Sequence, residues 1–417
     1  MMRNSKKRTA DYWNNDQPEH FTIIRNVVKM TKYLNSREYY IFLKYLTDVF
    51  ILYSVINLSC AILHFWDNKE KKMFAVKELN VSFYAICLRM TTKEVLPLCD
   101  LVESFCADKF TFYRNDRSEK QRKIRNERIG RLQNLDKMNI RYTVILIFFS
   151  VVVPWLQSCY TVFISENYDD IQDLQHVLFS YYPDQYKSLE MHFIVQAFTG
   201  IFLIVEELQM YCIFTAVYMA SYTMADEFDL LFTCLEEIDQ NIRDFSHVKR
   251  NMKLDFNYER FNSTYENQLF VFLTKIIDHH SSLYSNVELL NKRIGTLCLG
   301  TINAWTFQLF VLIMFVYDNK DTATRIKFVF LALAIIVLMI MCASIGQTIS
   351  TKGEKLRRAI WDCSWVDKPE WFKKSILMMM TRSTRPLEIR PFGLYVLDLR
   401  RFAVILNGMY SYFNVVY

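Results

Sequence analysis

The alternation of apolar and charged stretches divides this chain into long, nearly uncharged runs separated by polar connections. A membrane-crossing helix needs about 20 mostly apolar residues. Runs of that kind lie at Tyr40 to Leu63, Phe74 to Leu98, Tyr142 to Ile164, His192 to Tyr222, Ile294 to Tyr317 and Phe328 to Ile349. A seventh region is divided: Trp371 to Met380 is short, Met-rich and closed by the break TRSTRP, and Gly393 to Tyr417 completes the chain. The second run carries Lys77, Glu78, Arg89, Lys93 and Glu94 inside or beside it. A charge at the bilayer centre costs about 2.5–3.5 kcal/mol on insertion scales, so this helix is expected to face other protein. Between the fourth and fifth runs, Phe228, Leu231, Leu235, Ile238 and Ile242 keep helical spacing on one face. Helices are therefore expected to continue beyond the bilayer.

The pattern predicts an all-α polytopic membrane protein with seven transmembrane helices, a split seventh helix and a cytoplasmic helical anchor layer. The expected segments are a cytoplasmic N-terminal stretch (1–39), the first four spans with their loops (40–222) and a cytoplasmic helical extension (223–293). They continue with the fifth and sixth spans (294–350), an anchor with a short half-helix (351–392) and a closing helix (393–417).

Charge sets the orientation, because short cytoplasmic loops collect Lys and Arg. The connection from Asp100 to Arg141 is rich in them, from Lys109, Arg114 and Arg117 to Arg128, Arg131 and Lys137. The next, Ser165 to Glu190, has Lys187 alone among Glu166, Asp169, Asp170, Asp173 and Asp184. Lys352, Lys355, Arg357 and Arg358 repeat the basic pattern after the sixth run. The N-terminus is accordingly expected in the cytoplasm and Tyr417 outside, the reverse of a G-protein-coupled receptor. On this topology the sequon at Asn262 is cytoplasmic and the NLS and NVS triplets at Asn57 and Asn80 lie within spans, so all three are expected to be bare.

Composition agrees with a membrane bundle: 52% of residues are hydrophobic and 16% aromatic, while eight Gly and seven Pro leave little room for turn-rich β architecture. The ten cysteines form no CxxC pair or zinc spacing and are expected to be buried thiols. GxGxxG, P-loop, HExxH and GxSxG patterns are missing, so no enzyme, cofactor, metal or nucleic-acid partner is expected. His279 and His280 read as a surface or interface pair. Glu206 and Glu207 fall inside the fourth run, roughly 21 Å along it, and are read either as a structural polar contact or as part of an ion path.

Two constellations carry candidate function. In the last helix Asn407, Ser411 and Asn414 stand at i, i+4 and i+7, beside a face of Leu406, Tyr410, Phe413 and Tyr417. Polar groups at membrane depth need partners or water. The stripe either bonds to neighbouring helices or, with several copies around an axis, lines a pore in which Val415 is an apolar constriction. Aromatic and small residues crowd the outer halves of the middle spans: Phe83, Tyr84 and Cys87; Phe149, Val153 and Leu156; Phe193, Ala197 and Gly200; Phe328 and Leu331. These are read either as ordinary packing or as the wall of an apolar cavity for a small volatile molecule.

The C-terminal quarter, CASIGQTISTKGEKLRRAIWDCSW followed by FKKSILMMMTRSTRPLEIRPFGLYVLDLRRFAVILNGMYSYF, resembles the insect odorant receptor family. The length, span count and inverted topology agree. The resemblance implies a ligand-gated, non-selective cation channel of the plasma membrane, a hetero-tetramer with the shared odorant co-receptor, opened by a small apolar volatile. It implies that the closing helix lines the pore with its gate at Val415, and that pockets form from the outer halves of the second to sixth spans. The sister gustatory receptors close on a QF pattern that this chain, ending SYFNVVY, lacks; a gustatory-type channel and a transporter remain the alternatives.

Overall fold

The computed structural model describes residues 39–106, 119–165, 171, 174–238, 264–318 and 322–416. Among them every regular element is helical. The helices are α1 (Tyr39–His64), α2 (Lys69–Thr91), α3 (Val95–Cys106), α4 (Glu119–Ile147), α5 (Val153–Tyr160), α6 (Leu189–Glu236), α7 (Thr264–Asp318), α8 (Thr322–Asp362), α9 (Glu370–Ser383) and α10 (Leu399–Val416).

Local chemistry sets several of the boundaries. Asn68 accepts a hydrogen bond from the Lys71 amide at the start of α2, and Ser188 accepts one from Met191 at the start of α6. The expected second span is interrupted: a 3₁₀ turn at Thr92–Glu94 separates α2 from α3, because Pro97 lacks the N–H that would continue the ladder and its ring crowds the carbonyl one turn earlier. Pro154 acts likewise on the third span, where a π turn at Phe148–Val152 joins α4 to α5. Ser150 spends its hydroxyl on the Leu146 carbonyl at 2.7 Å beside that turn.

Among the described residues, five helices are long and apolar enough to cross a membrane: the stretches Thr47–His64, Glu119–Ile164, Leu189–Glu236, Tyr265–Asp318 and Arg325–Asp362. The expected count of seven is therefore not reached by hydropathy. The charges of α2 and the polar stripe of α10 lower their apolar content. Both nevertheless pack into the same bundle, α2 against α1 and α7, and α10 against α8.

We call the end bearing the α1–α2 turn and residues 174–188 the top, and the opposite end the base. α6 is the central post: 72% of its apolar window is buried, against 22% for α1. At the base, α6, α7, α8 and α9 form a helical layer. The face expected from Phe228, Leu231, Leu235 and Ile238 is fully buried, against Leu269, Ile276, Leu283 and Leu290 of α7 and Phe372 and Ile376 of α9. Ile242, Asn262, Glu166, Asp169, Asp170, Asp173, the N-terminal stretch, Lys109, Arg114, Arg117 and Tyr417 lie outside the described residues.

The layer is tied by ions as well as by apolar packing. Arg128 reaches Asp226 at 3.3 Å and Glu227 at 2.8 Å, Arg131 reaches Asp226 at 2.6 Å, and His279 faces Glu227 at 3.3 Å. Lys352 pairs with Asp229. The histidine pair is thus not on the surface: His279 is 0% exposed, and His280 contacts Ser383 of α9 at 3.2 Å. The local reason is that both rings point into the seam that α7 shares with α6 and α9.

Candidate functional site

The site is built from the closing helix and from the upper half of the bundle. On α10 the residues Phe402, Ile405, Leu406 and Met409 pack against the main core. Phe413 meets Tyr317 edge-on at 5.7 Å. At about 100° per residue, Asn407, Ser411 and Asn414 fall on the far side of the helix, and all three are exposed on the single chain. Ser411 donates to the Asn407 carbonyl at 2.9 Å. Tyr410, expected beside Leu406 and Phe413, is instead 69% exposed, because it lies at the edge of the packed face. Val415 falls within α10, and its side chain is outside the described set.

The aromatic and small residues of the upper half fall into separate groups. Phe328 is buried with Phe315 and Phe74, at ring separations of 5.1 and 6.1 Å, and Leu331 packs beside them. The Lys77 ammonium sits over Phe74 and Phe328 at 5.5 and 5.6 Å and pairs with Glu78 at 2.7 Å. Tyr84 packs on Trp305 of α7, and Cys87 fills the space left by Gly300. Gly200 receives Val151. Phe149 stacks on Phe330 at 5.1 Å, Phe193 stacks on Phe163 at 5.9 Å, and Val153 is half-buried. Phe83 is 50% exposed, Leu156 is 53% exposed and Ala197 is also exposed; helical period turns these three outward, away from any cavity within the chain. The eleven positions therefore do not converge on one chamber. A small apolar void is bordered instead by Phe214, Val217, Cys298, Ile302 and Cys342.

Sequence reasoning missed a polar cap at the top. His192 bonds Ser158 at 2.8 Å and Tyr182 at 3.5 Å, while Gln196 accepts from the Val177 amide at 2.7 Å and contacts His176 at 3.1 Å. Burial pushes the Tyr182 hydroxyl above its ordinary range, so it stays a neutral donor. Asn57 clamps the same connection: its Nδ2 donates to the Tyr181 carbonyl and its Oδ1 accepts from the Tyr181 amide, both at 2.9 Å. His192, Gln196 and Asn57 sit within apolar helical stretches, so only the returning connection gives them away. Glu206 and Glu207, visible in the sequence, lie in the middle of the bundle.

A bundle of this kind, with a central buried post, a base layer of helix extensions and a terminal helix polar on its unpacked side, has the architecture of a multi-pass membrane protein. A structure of the olfactory receptor OR5 from Machilis hrabei, solved in complex with eugenol, superposes with a TM-score of 0.71 at 12% identity, covering 95% of this chain and 99% of that one. The model of the 7tm Odorant receptor family matches residues 73–410, and the chain belongs to that family. Odorant receptor 2a of Drosophila melanogaster is 26% identical over 133 residues, 31% of this chain and 33% of its own length. Odorant receptor Or2 of Anopheles gambiae is 24% identical over 148 residues, 36% and 39% of the two chains. The matched segments thus span little more than a third of these relatives. Membership places the chain among olfactory receptors rather than enzymes.

Proposed function

We propose that this chain is a tuning subunit of a ligand-gated, non-selective cation channel, assembled with the shared odorant co-receptor as a hetero-tetramer in the plasma membrane. The observation that carries the reading is the placement of Asn407, Ser411 and Asn414 on the uncovered side of α10, opposite its packed face. The side-chain amides of Asn407 and Asn414 facing lipid would lack partners; facing the same helices of neighbouring subunits, they line a shared aqueous axis with Ser411. The base of the bundle is cytoplasmic on the Lys and Arg bias, which puts the N-terminus inside and the C-terminus outside. Val415, one residue beyond Asn414, then forms the apolar ring that closes the axis by dewetting.

The ligand is a small apolar odorant or pheromone held in the upper half among Tyr84, Cys87, Phe149, Val153, Phe193, Gly200, Phe328 and Leu331. Phe83, Leu156 and Ala197 contribute only where helices rotate or a neighbour covers them. The ligand binds the open arrangement more tightly and shifts the population toward it; a differential affinity of a few kcal/mol suffices. Whole-cell recording from cells expressing the chain with the co-receptor tests the reading. Val415→Ala is expected to raise resting current or alter permeation, and unchanged currents in both respects count against the pore assignment.

A further inference from the structure

The middle of the bundle holds more hydrogen-bond acceptors than it can satisfy. Glu206 is 6% exposed, yet no described residue donates to either of its carboxylate oxygens. Glu207 Oε2 is buried in the same condition, and so are the Tyr84 hydroxyl and the Oε1 of Gln209, itself 3% exposed and one helical turn beyond Glu206. Leaving such oxygens buried and unmade costs about the full desolvation of each group.

The charges are equally unbalanced. Arg89 is the cation within electrostatic reach of Glu206, and it already contacts Asp48 at 3.3 Å. Glu207 lies within electrostatic reach of Tyr84 and Tyr142, and the Tyr142 hydroxyl is spent on the Ala334 carbonyl at 2.7 Å. One guanidinium thus serves the carboxyl groups of both Glu206 and Asp48. Cys342, within electrostatic reach of the Tyr84 hydroxyl, borders the small apolar void, so a polar group at one end adjoins apolar wall at the other.

We propose that the bundle interior takes a volatile alkyl amine, with its nitrogen at Glu207 and Tyr84 and its chain toward the Cys342 void. This inference rests on the odorant-gated reading above and names the ligand class for it. A neutral amine crosses the apolar upper half as the free base. At Glu207 the carboxylic O–H proton moves to the amine nitrogen, leaving an alkylammonium donating to the Glu207 carboxylate and the Tyr84 oxygen; no other bond is made or broken. The guest supplies the missing donors, and its ammonium charge balances the carboxylate that the proton transfer leaves. A hydrocarbon offers neither, and an alcohol offers one neutral donor.

The test is a series of n-alkyl amines, with alcohols and alkanes of the same chain lengths, applied to cells expressing the wild-type chain with the co-receptor. Amines are expected to be the most potent. In Glu207→Gln the ratio of amine to alcohol potency is expected to fall roughly tenfold or more, the size of a lost charged hydrogen bond. Amines no more potent than their alcohols, or a ratio unmoved in a variant shown at the surface by biotinylation, overturns the inference. The wild-type ranking decides alone if the variant does not reach the surface. A channel that opens to other volatiles but not to amines sinks this inference only, whereas silence to a broad panel of volatiles sinks the channel reading itself.

Discussion

Single atoms decide where the helices of this receptor touch. A Cβ on Gly346 of α8 would collide with the Leu397 carbonyl just before α10, a contact with backbone that cannot rotate away. Overpacking of a core costs about 1–3 kcal/mol when side chains can shift, and here they cannot. Gly346→Ala is therefore expected to lower the unfolding midpoint of the detergent-solubilised complex and to reduce surface expression. An unchanged melting curve refutes the contact. Gly300 meets the Cys87 side chain instead, so Gly300→Ala with Cys87→Ala is expected to recover most of the stability that Gly300→Ala alone loses.

Residue roles were the least legible level of the sequence. Helical spacing puts Phe83 and Tyr84 about 100° apart, but only the packing of α2 on α1 and α7 decides which of them looks inward. Tyr84 does, and Phe83 does not. Asn80 shows the same limit: its Nδ2 donates to the Ala304 carbonyl at 2.8 Å and lies 3.2 Å from Gln308 Oε1, so the amide of that NVS triplet is spent on a helix contact no spacing reveals.

Among elements, apolar periodicity read well and interruptions read poorly. The face from Phe228 to Ile238 announced the base layer, and α6 and α7 continue through it unbroken. Pro97 and Pro154 stood in plain view, yet whether a proline ends a helix or only loosens one turn depends on its neighbours. The ion network hid for a different reason: Arg128 and Arg131 looked like members of a basic solvated loop, and only α4 lying along α6 brings them to Asp226 and Glu227. Removing one partner of a buried ionic set leaves charge uncompensated and costs about 3–5 kcal/mol. Arg128→Met is expected to lose about that much in a denaturation measurement, and a loss below about 1 kcal/mol, the range of exposed pairs, contradicts the buried arrangement.

At the scale of the whole molecule, the sequence carried the all-helical membrane class and the amphipathic last segment, whereas among the described residues five helices, against the seven expected, are apolar enough to span. Two measurements address the assembled receptor. Cysteines introduced by Asn407→Cys, Ser411→Cys or Asn414→Cys are expected to react with an impermeant thiol reagent faster when odorant is present, whereas Leu406→Cys, on the packed face, is expected to stay protected. Equal rates at all four positions contradict a water-lined axis. Glycosidase treatment of the expressed chain is expected to leave its mobility unchanged, since Asn262 belongs to the cytoplasmic side on this topology; a shift removed by Asn262→Gln reverses it.

The unbroken run of α7 from Thr264 to Asp318, 55 residues, has a mechanical corollary. At about 1.5 Å per residue it is a rod of roughly 80 Å, with Trp305 and Tyr317 toward one end and the α9 contacts at the other. Stiff rods turn small angles into large excursions: pivoting by about 2° about one tip sweeps the other by nearly 3 Å, on the order of half a helical pitch. A small push near the upper end can therefore act as a wedge on a long crank, appearing as larger travel in the base layer where α7 meets α9.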